Sequence, residues 1–157
     1  MSRRRKTDKR PKPIDPRFNS EMVAHMINYL MVNGKKTTAE RIVYGAIEEI
    51  GKKVEGEEAL EVVNKAVNNM KPRVEVKSRR VGGSTYQVPV EIKPDRQLAL
   101  ALRWLTTYAA GRRGVGMPKA VALEILDAYN NQGNIIRKRD DTHKMAQANK
   151  AFAHFAW

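Results

Sequence analysis

The segment Val74 to Ile92, VEVKSRRVGGSTYQVPVEI, constrains the fold more than any other. Valines alternate with polar residues, the pattern breaks at Gly82-Gly83, and a second alternating run follows. Val, Thr and Tyr suit a pleated backbone, and paired glycines supply the positive φ angles of a tight reversal. Elsewhere the periodicity is helical, so one β-hairpin protruding from a helical body is expected. Val74 and Val76 share one face of the first arm; Tyr86, Val88, Val90 and Ile92 share one face of the second. A plain two-residue turn would set Val76 opposite Pro89 and leave these apolar faces on opposite sides. A three-residue loop, or a two-residue turn with a bulge, is therefore expected, pairing Val76 with Val88 or Val90. The valines would root the ribbon, with Lys77, Arg79 and Arg80 toward its tip. Arms of about eight residues reach roughly 25 Å at about 3.3 Å per residue. Basic residues on such a ribbon can simply guard its edges against aggregation. Whether they also bind something depends on where charge sits in the rest of the chain.

Lys and Arg number 30 against 17 Asp and Glu, for a net charge of +13 and a pI near 10.2. Such a balance points to a polyanion, nucleic acid first and anionic membrane second. The charge is unevenly placed. Residues 1–17 carry a net +6, residues 18–70 carry −2, and residues 71–96 carry +4; residues 97–130 and 131–157 add +2 and +3. Positive charge thus belongs to the N-terminal arm, the hairpin and the C-terminal half. Arg3, Arg4, Arg5, Lys6, Lys9, Arg10 and Lys12 lie in a proline-containing segment too polar to fold alone. A basic arm at 1–17 that orders on nucleic acid is expected, followed by a single domain at 18–157 with the hairpin at 73–92.

The helical stripes follow in order. Met22, Val23, Met26, Ile27, Leu30 and Met31 mark a first helix from about Ser20, ended by Asn33-Gly34. Thr37 and Glu40 have capping-box spacing before a second, with Ile42, Val43, Ala46, Ile47 and Ile50 inward and a stop near Gly51. A third runs from about Glu57 through Leu60, Val63, Val67 and Met70. After the hairpin, Asp95 is placed to cap a fourth with Leu98, Ala101, Leu102, Leu105 and Ala109 inward. Pro118 suits the first turn of a fifth, with Val121, Ala122, Ile125, Leu126 and Tyr129 inward and Gly133 closing it. A sixth begins near Asn134 or Ile135, with Met145, Ala148, Phe152 and Phe155 on one stripe. The expected fold is mainly α: about six helices, with the hairpin between the third and fourth.

Chemistry is harder to find than charge. Cysteine is absent, which removes disulfides and thiolate metal sites. His25, His143 and His154 lack metal-ligand spacing. GRRGVG is no dinucleotide fingerprint, because its glycine order is wrong and it follows a helix. VGGST lacks the lysine and the following helix of a phosphate loop. Asp140 and Asp141 most simply balance Arg137 to Arg139. No cofactor, metal or catalytic residue is expected. No apolar run is long enough for a bilayer, and the N-terminal stretch lacks the apolar segment of a secretory signal. A cytoplasmic or organellar-matrix protein is the expectation.

Four blocks resemble a known family over essentially the whole chain: MSRRR, LMVNGKKTTAERIVYGA, the hairpin VEVKSRRVGGSTYQVPVEI, and HKMAQANKAFAHFAW. They are similar to the bacterial type of small-subunit ribosomal protein seven. That resemblance implies a structural ribosomal constituent that binds the 3′ major domain of small-subunit (16S) ribosomal RNA and nucleates assembly of the subunit head. It also implies a position near the exit site, close to transfer RNA and messenger RNA, with small-subunit proteins nine and eleven as neighbours. The family pattern places RNA contacts at Arg3, Arg4, Arg5, Lys6, Arg10, Lys35, Lys36, Lys77, Arg79, Arg80, Arg96, Arg112 and Arg113. Pro118-Lys119 and Phe155-Ala156 are less typical of the family. Shape and loops would supply specificity while scattered cations position the protein on phosphates. Tyr86 is the one candidate for base stacking, packing on the hairpin being the alternative. A different class, a DNA-architectural protein with a basic β-ribbon arm, would need an apolar wedge at the tip, for which Val81 is the only candidate.

Overall fold

The structure, a computed structural model, describes residues 13–54 and 56–155. Six α-helices and one two-stranded antiparallel sheet follow in the order α1 (Glu21–Leu30), α2 (Lys36–Lys53), α3 (Ala59–Met70), β1 (Val74–Val81), β2 (Ser84–Glu91), α4 (Pro94–Gly111), α5 (Met117–Tyr129) and α6 (Gly133–Ala148). A short 3₁₀ segment, Lys150–Phe155, ends the described chain. The protein is mainly helical with the hairpin between α3 and α4, as the periodicity predicts.

The predicted stripes form one buried core. Val23, Met26 and Ile27 of α1 meet Val43, Ile47 and Ile50 of α2, Val63, Val67 and Met70 of α3, and Leu102 and Leu105 of α4. Helix α5 lies at the centre, packed on α2, α3, α4 and α6. That position explains its sequence: Ala120, Val121, Ala122, Ile125 and Ala128 are all buried, too wide a face for a surface helix.

Helix ends are where expectation and structure part. Ser20 caps α1, its Oγ accepting from Val23 N at 3.5 Å. The Thr37–Glu40 box is not used: α2 already starts at Lys36, with Lys35 at the cap and no side-chain cap bond. Asn33 and Gly34 both have positive φ, and Lys36 N donates to Gly34 O at 2.8 Å. The turn itself thus delivers the chain into the helix, and Glu40 instead reaches Lys36 at 3.7 Å. Helix α2 also runs through Gly51 to Lys53. Lys93, not Asp95, precedes α4, because Pro94 takes the first helical position and leaves Asp95 inside the first turn. Asn131, left-handed at φ 54, ends α5, and Gly133 opens α6 rather than closing α5. Gly133 has φ 89, and a Cβ there would stand 2.9 Å from Asp127 Cβ, so this tight interhelical turn requires glycine.

The predicted hairpin register is overturned. Gly82 (φ 57) and Gly83 (φ 89) make a plain two-residue turn with no bulge, and Val76 faces Pro89. The parity argument assumed a ribbon with one apolar face. In the structure Val88, fully buried, shares a face with Lys77, while Val76 on the other face lines a cleft with Thr142 and Met145 of α6. The predicted stripe of α6 is also broken. The helix stops at Ala148, Met145 is 49% exposed, and Phe152 and Phe155 belong to the 3₁₀ segment, which turns back onto β2.

Candidate nucleic-acid interface

Arg3, Arg4, Arg5, Lys6 and Arg10 lie outside the described residues. The remaining predicted cations divide by what holds them. Lys35, Arg80 and Arg113 are exposed and make no ion pair among the described residues. They sit respectively in the α1–α2 turn, on the hairpin next to Val81, and in the α4–α5 loop. Lys36 and Lys77 are exposed and pair with Glu40 at 3.7 Å and Glu75 at 3.3 Å respectively. The Lys36 pair is loose and holds its side chain weakly, so that ammonium remains available to a phosphate, whereas Lys77 shares the largely enclosed Glu75 with Arg96.

Arg79, Arg96 and Arg112 are engaged inside the protein. Arg79 is half-buried and donates to the carbonyl of Phe155. Arg96 forms a fork on Glu75, Nε to Oε1 at 2.8 Å and Nη2 to Oε2 at 2.9 Å, joining the start of α4 to β1. That guanidinium holds the Glu75 carboxyl below its ordinary range. The register puts Glu75, Lys77 and Arg79 on one face of the ribbon and Arg80 on the other, so the three hairpin cations do not act as one cluster.

Arg112 is the most committed of all. Its Nε donates to Glu124 Oε1 at 2.6 Å, its Nη2 binds Asp127, and Glu124 is 1% exposed. A carboxylate so deeply placed depends on that partner. Glu124 Oε2 has no hydrogen-bond partner among the described residues, and Arg112 is the charged partner that holds Glu124 in the core. Adjacent arginines that look alike in sequence thus differ: Arg112 clamps the α4–α5 loop to α5, and Arg113 is displayed by it.

Tyr86 packs rather than waits for a base. Its ring lies 5.4 Å from that of Phe152 and 5.0 Å from that of Phe155. The partners come from the C-terminal segment, which the hairpin sequence could not reveal.

Sequence reasoning missed a second anchor, at the inner end of the basic arm. Asp15, 2% exposed, accepts from Tyr44 Oη at 2.6 Å and from the backbone of Phe18 at 2.9 Å and Arg17 at 3.1 Å. This hydrogen bond is the main reason the Tyr44 hydroxyl is pushed up to about 12. Arg17 lies over the Tyr44 ring at 4.9 Å and pairs with Glu48 at 2.9 Å. Asp15 and Arg17 are therefore tied to α2. The available signal was IDP: an aspartate before proline is a turn former that can bond its own backbone a few residues on.

His25 sits half-buried on α1, and His143 Nε2 accepts from Arg73 N at 3.0 Å. No group of three metal-ligating side chains comes together among the described residues, and no described helix is long and apolar enough to cross a membrane. Exposed cations thus stand on a turn, a ribbon and a loop around a helical body. The family model for ribosomal protein S7p/S5e matches residues 2–150, and the chain belongs to that family. It is 54% identical over 157 residues to small ribosomal subunit protein uS7 of Bdellovibrio bacteriovorus, 55% to that of Geobacter metallireducens and 54% to that of Akkermansia muciniphila, covering all of each chain. The family is one of ribosomal structural proteins, not enzymes, in agreement with the resemblance read from the four sequence blocks.

Proposed function

We propose that the protein is a structural constituent of the small ribosomal subunit that binds the 3′ major domain of its ribosomal RNA and nucleates head assembly. It stands near the exit site, with transfer RNA, messenger RNA and small-subunit proteins nine and eleven as neighbours. The family membership supports the assignment to the ribosome. The observation that carries RNA binding is the set of exposed cations Lys35, Arg80 and Arg113 with no ion pair among the described residues. In a chain of +13, these stand on different elements from the exposed Glu57, Glu58 and Glu61, which lie before and on α3. The exposed glutamates Glu57, Glu58 and Glu61 around the start of α3 turn to solvent or to a protein neighbour; the N-terminal arm, turn, ribbon and loop meet phosphates. Arg112 and Arg96 serve this interface by fixing the loop and the ribbon that carry it.

Filter binding of the full chain to a 3′ major domain transcript tests the reading. Six to ten phosphate contacts would lower affinity by about 10³ to 10⁵ between 50 and 200 mM salt. A flat salt response would sink it. Duplex DNA that competes as well as the transcript would favour the DNA-architectural class instead. Against that class, the turn itself is Gly82-Gly83, and the candidate wedge Val81 is half-buried in the last pair of the ribbon.

A further inference from the structure

A cleft of about 380 Å³ opens at the root of the hairpin, lined by Asn68, Asn69, Lys71, Arg73, Arg139 and His143. Its residues come from the last turn of α3, the link to β1, and the middle of α6, about seventy residues further along. Among the described residues no carboxylate lines it. Arg139 is held in place, donating through Nη1 to Asn69 O at 2.6 Å and pairing with Asp140 at 2.7 Å. Lys71 and Arg73 have no carboxylate partner among the described residues; Lys71 Nζ donates only to Asn68 Oδ1 at 2.8 Å, and Arg73 is exposed. The wall opposite is built: Asn69 Nδ2 donates to Ala128 O at 3.1 Å, and His143 Nε2 accepts from Arg73 N. Because Nε2 accepts, the neutral ring carries its proton on Nδ1.

We propose that this cleft is a phosphodiester subsite for ribosomal RNA, in which Lys71 and Arg73 neutralise one phosphate and Arg139 and His143 form its fixed wall. The size lies within the range of small-molecule clefts and accommodates a phosphate with its sugar. A planar guanidinium and an ammonium lining one cleft, with the nearby Asp140 already paired to Arg139, favour an anion over a cation or an apolar guest. The subsite rests on the reading of the protein as RNA-binding and extends it. It pins the backbone at the point where the hairpin leaves the body, so the direction of the ribbon is set on the RNA as well as by Arg96. Nothing in the sequence marks it, since Lys71 and Arg73 are ordinary link residues until α6 comes alongside.

His143 reports on the site. Burial, then the nearby Arg139, hold its pKa below the ordinary value, with Asp140 opposing and Arg73 adding to the effect. Lys71 lines the same cleft. A bound phosphate brings negative charge to the ring and must raise that pKa. Inorganic phosphate titrated into the full-length protein at constant ionic strength, with chloride as control, is followed by NMR at the His143 ring, assigned with His143→Gln. A saturable shift with a rise in the pKa is expected, and its loss in a Lys71→Gln/Arg73→Gln variant with unchanged Tm. Binding of the 3′ major domain transcript then separates sources. The double variant should lower the slope of log affinity against log salt by about 1, the share of one phosphate. No saturable response to phosphate overturns the site. A saturable response with an unchanged RNA slope overturns its assignment to RNA and leaves a free-phosphate site. Failure of the parent protein to bind the transcript at all would strike the function proposed above, a different result from a parent that binds with a slope the variant shares.

Discussion

The helical body and the ribbon layer of this protein are held together by different forces. The body is largely aliphatic: Leu105 and Ile125 are fully buried among side chains from several helices. The ribbon layer buries little beyond Val88 and Ile92, and is tied down by an aromatic trio, by Arg79 on the Phe155 carbonyl and by the Glu75–Arg96 fork. Nonpolar burial gives the body cooperativity, whereas a few polar and aromatic ties let the ribbon open locally without unfolding the whole. Stability is concentrated in the body, whereas the proposed RNA contacts are divided between the ribbon, with Arg80, and surface turns of the body, with Lys35 and Arg113.

The largest effect should come from breaking the body. Leu105→Ala removes a fully buried side chain from α4 and should cost about 2–5 kcal/mol in urea denaturation. RNA affinity per folded molecule should stay unchanged; a loss of affinity in protein shown to be folded would mean the two regions are not separable.

Next in size is the arginine pair. Arg112→Ala leaves Glu124 in the core without its partner and should destabilise by about 2–4 kcal/mol, less than a fully enclosed pair because Arg112 keeps 29% of its side chain exposed. Arg113→Ala should change stability by about 0.5 kcal/mol or less and lower the salt slope of RNA binding by about 1. Equal effects of the two substitutions on stability would remove the distinction between clamp and contact.

That distinction marks the limit of what the sequence shows. Stripes such as Val121, Ala122 and Ile125 were legible because a helix repeats its face every few residues, so one-dimensional spacing reports burial directly. The basic character of the interface was legible for the same reason: charge is a sum, and needs no partners. Which arginine is consumed was not, because Glu124 lies 12 residues from Arg112 and Glu75 lies 21 from Arg96. The hairpin register failed on a related point. Parity gives the faces of a strand, but only the tertiary structure showed that Tyr86 meets Phe152 and Phe155 while Val76 turns to the cleft beside Met145. The stripe Met145–Phe155 likewise assumed a helix that continues past Ala148.

A smaller effect should sharpen the picture of the ribbon layer. Tyr86→Ala removes two ring contacts and should cost about 1 kcal/mol, with most of the loss local. Hydrogen exchange would read it: the Phe152 amide, bonded to Asn149 O at 3.0 Å, should lose protection while amides of α5 keep theirs. Arg79→Glu should act similarly by releasing the Phe155 carbonyl, and Arg80→Glu should leave protection intact while weakening RNA binding. Uniform loss across the molecule would mean the ribbon folds as one unit with the body.

The smallest effect is a pH dependence at the junction of the two regions. His143 accepts the Arg73 backbone proton through Nε2, which it can do only when that nitrogen is unprotonated. Its folded pKa is depressed, first by burial, below an unfolded value near 6.5. Between those values the unfolded chain binds more protons than the native one, so stability rises with pH across that window. The contribution is complete above about 6.5 and lost as pH falls through the folded pKa. Glu75 adds a separate loss at lower pH, since its carboxyl, held down first by Arg96, contributes above its ordinary value and ceases to as pH falls through the depressed one. Exchange of the Arg73 amide should accelerate, after correction for intrinsic rate, as pH falls below about 6.5, while amides at the centre of α5 show no such step. His143→Gln should abolish the step and leave the one from Glu75. A step that survives this substitution would place the pH sensitivity elsewhere, and would remove His143 as the group that joins ribbon to body.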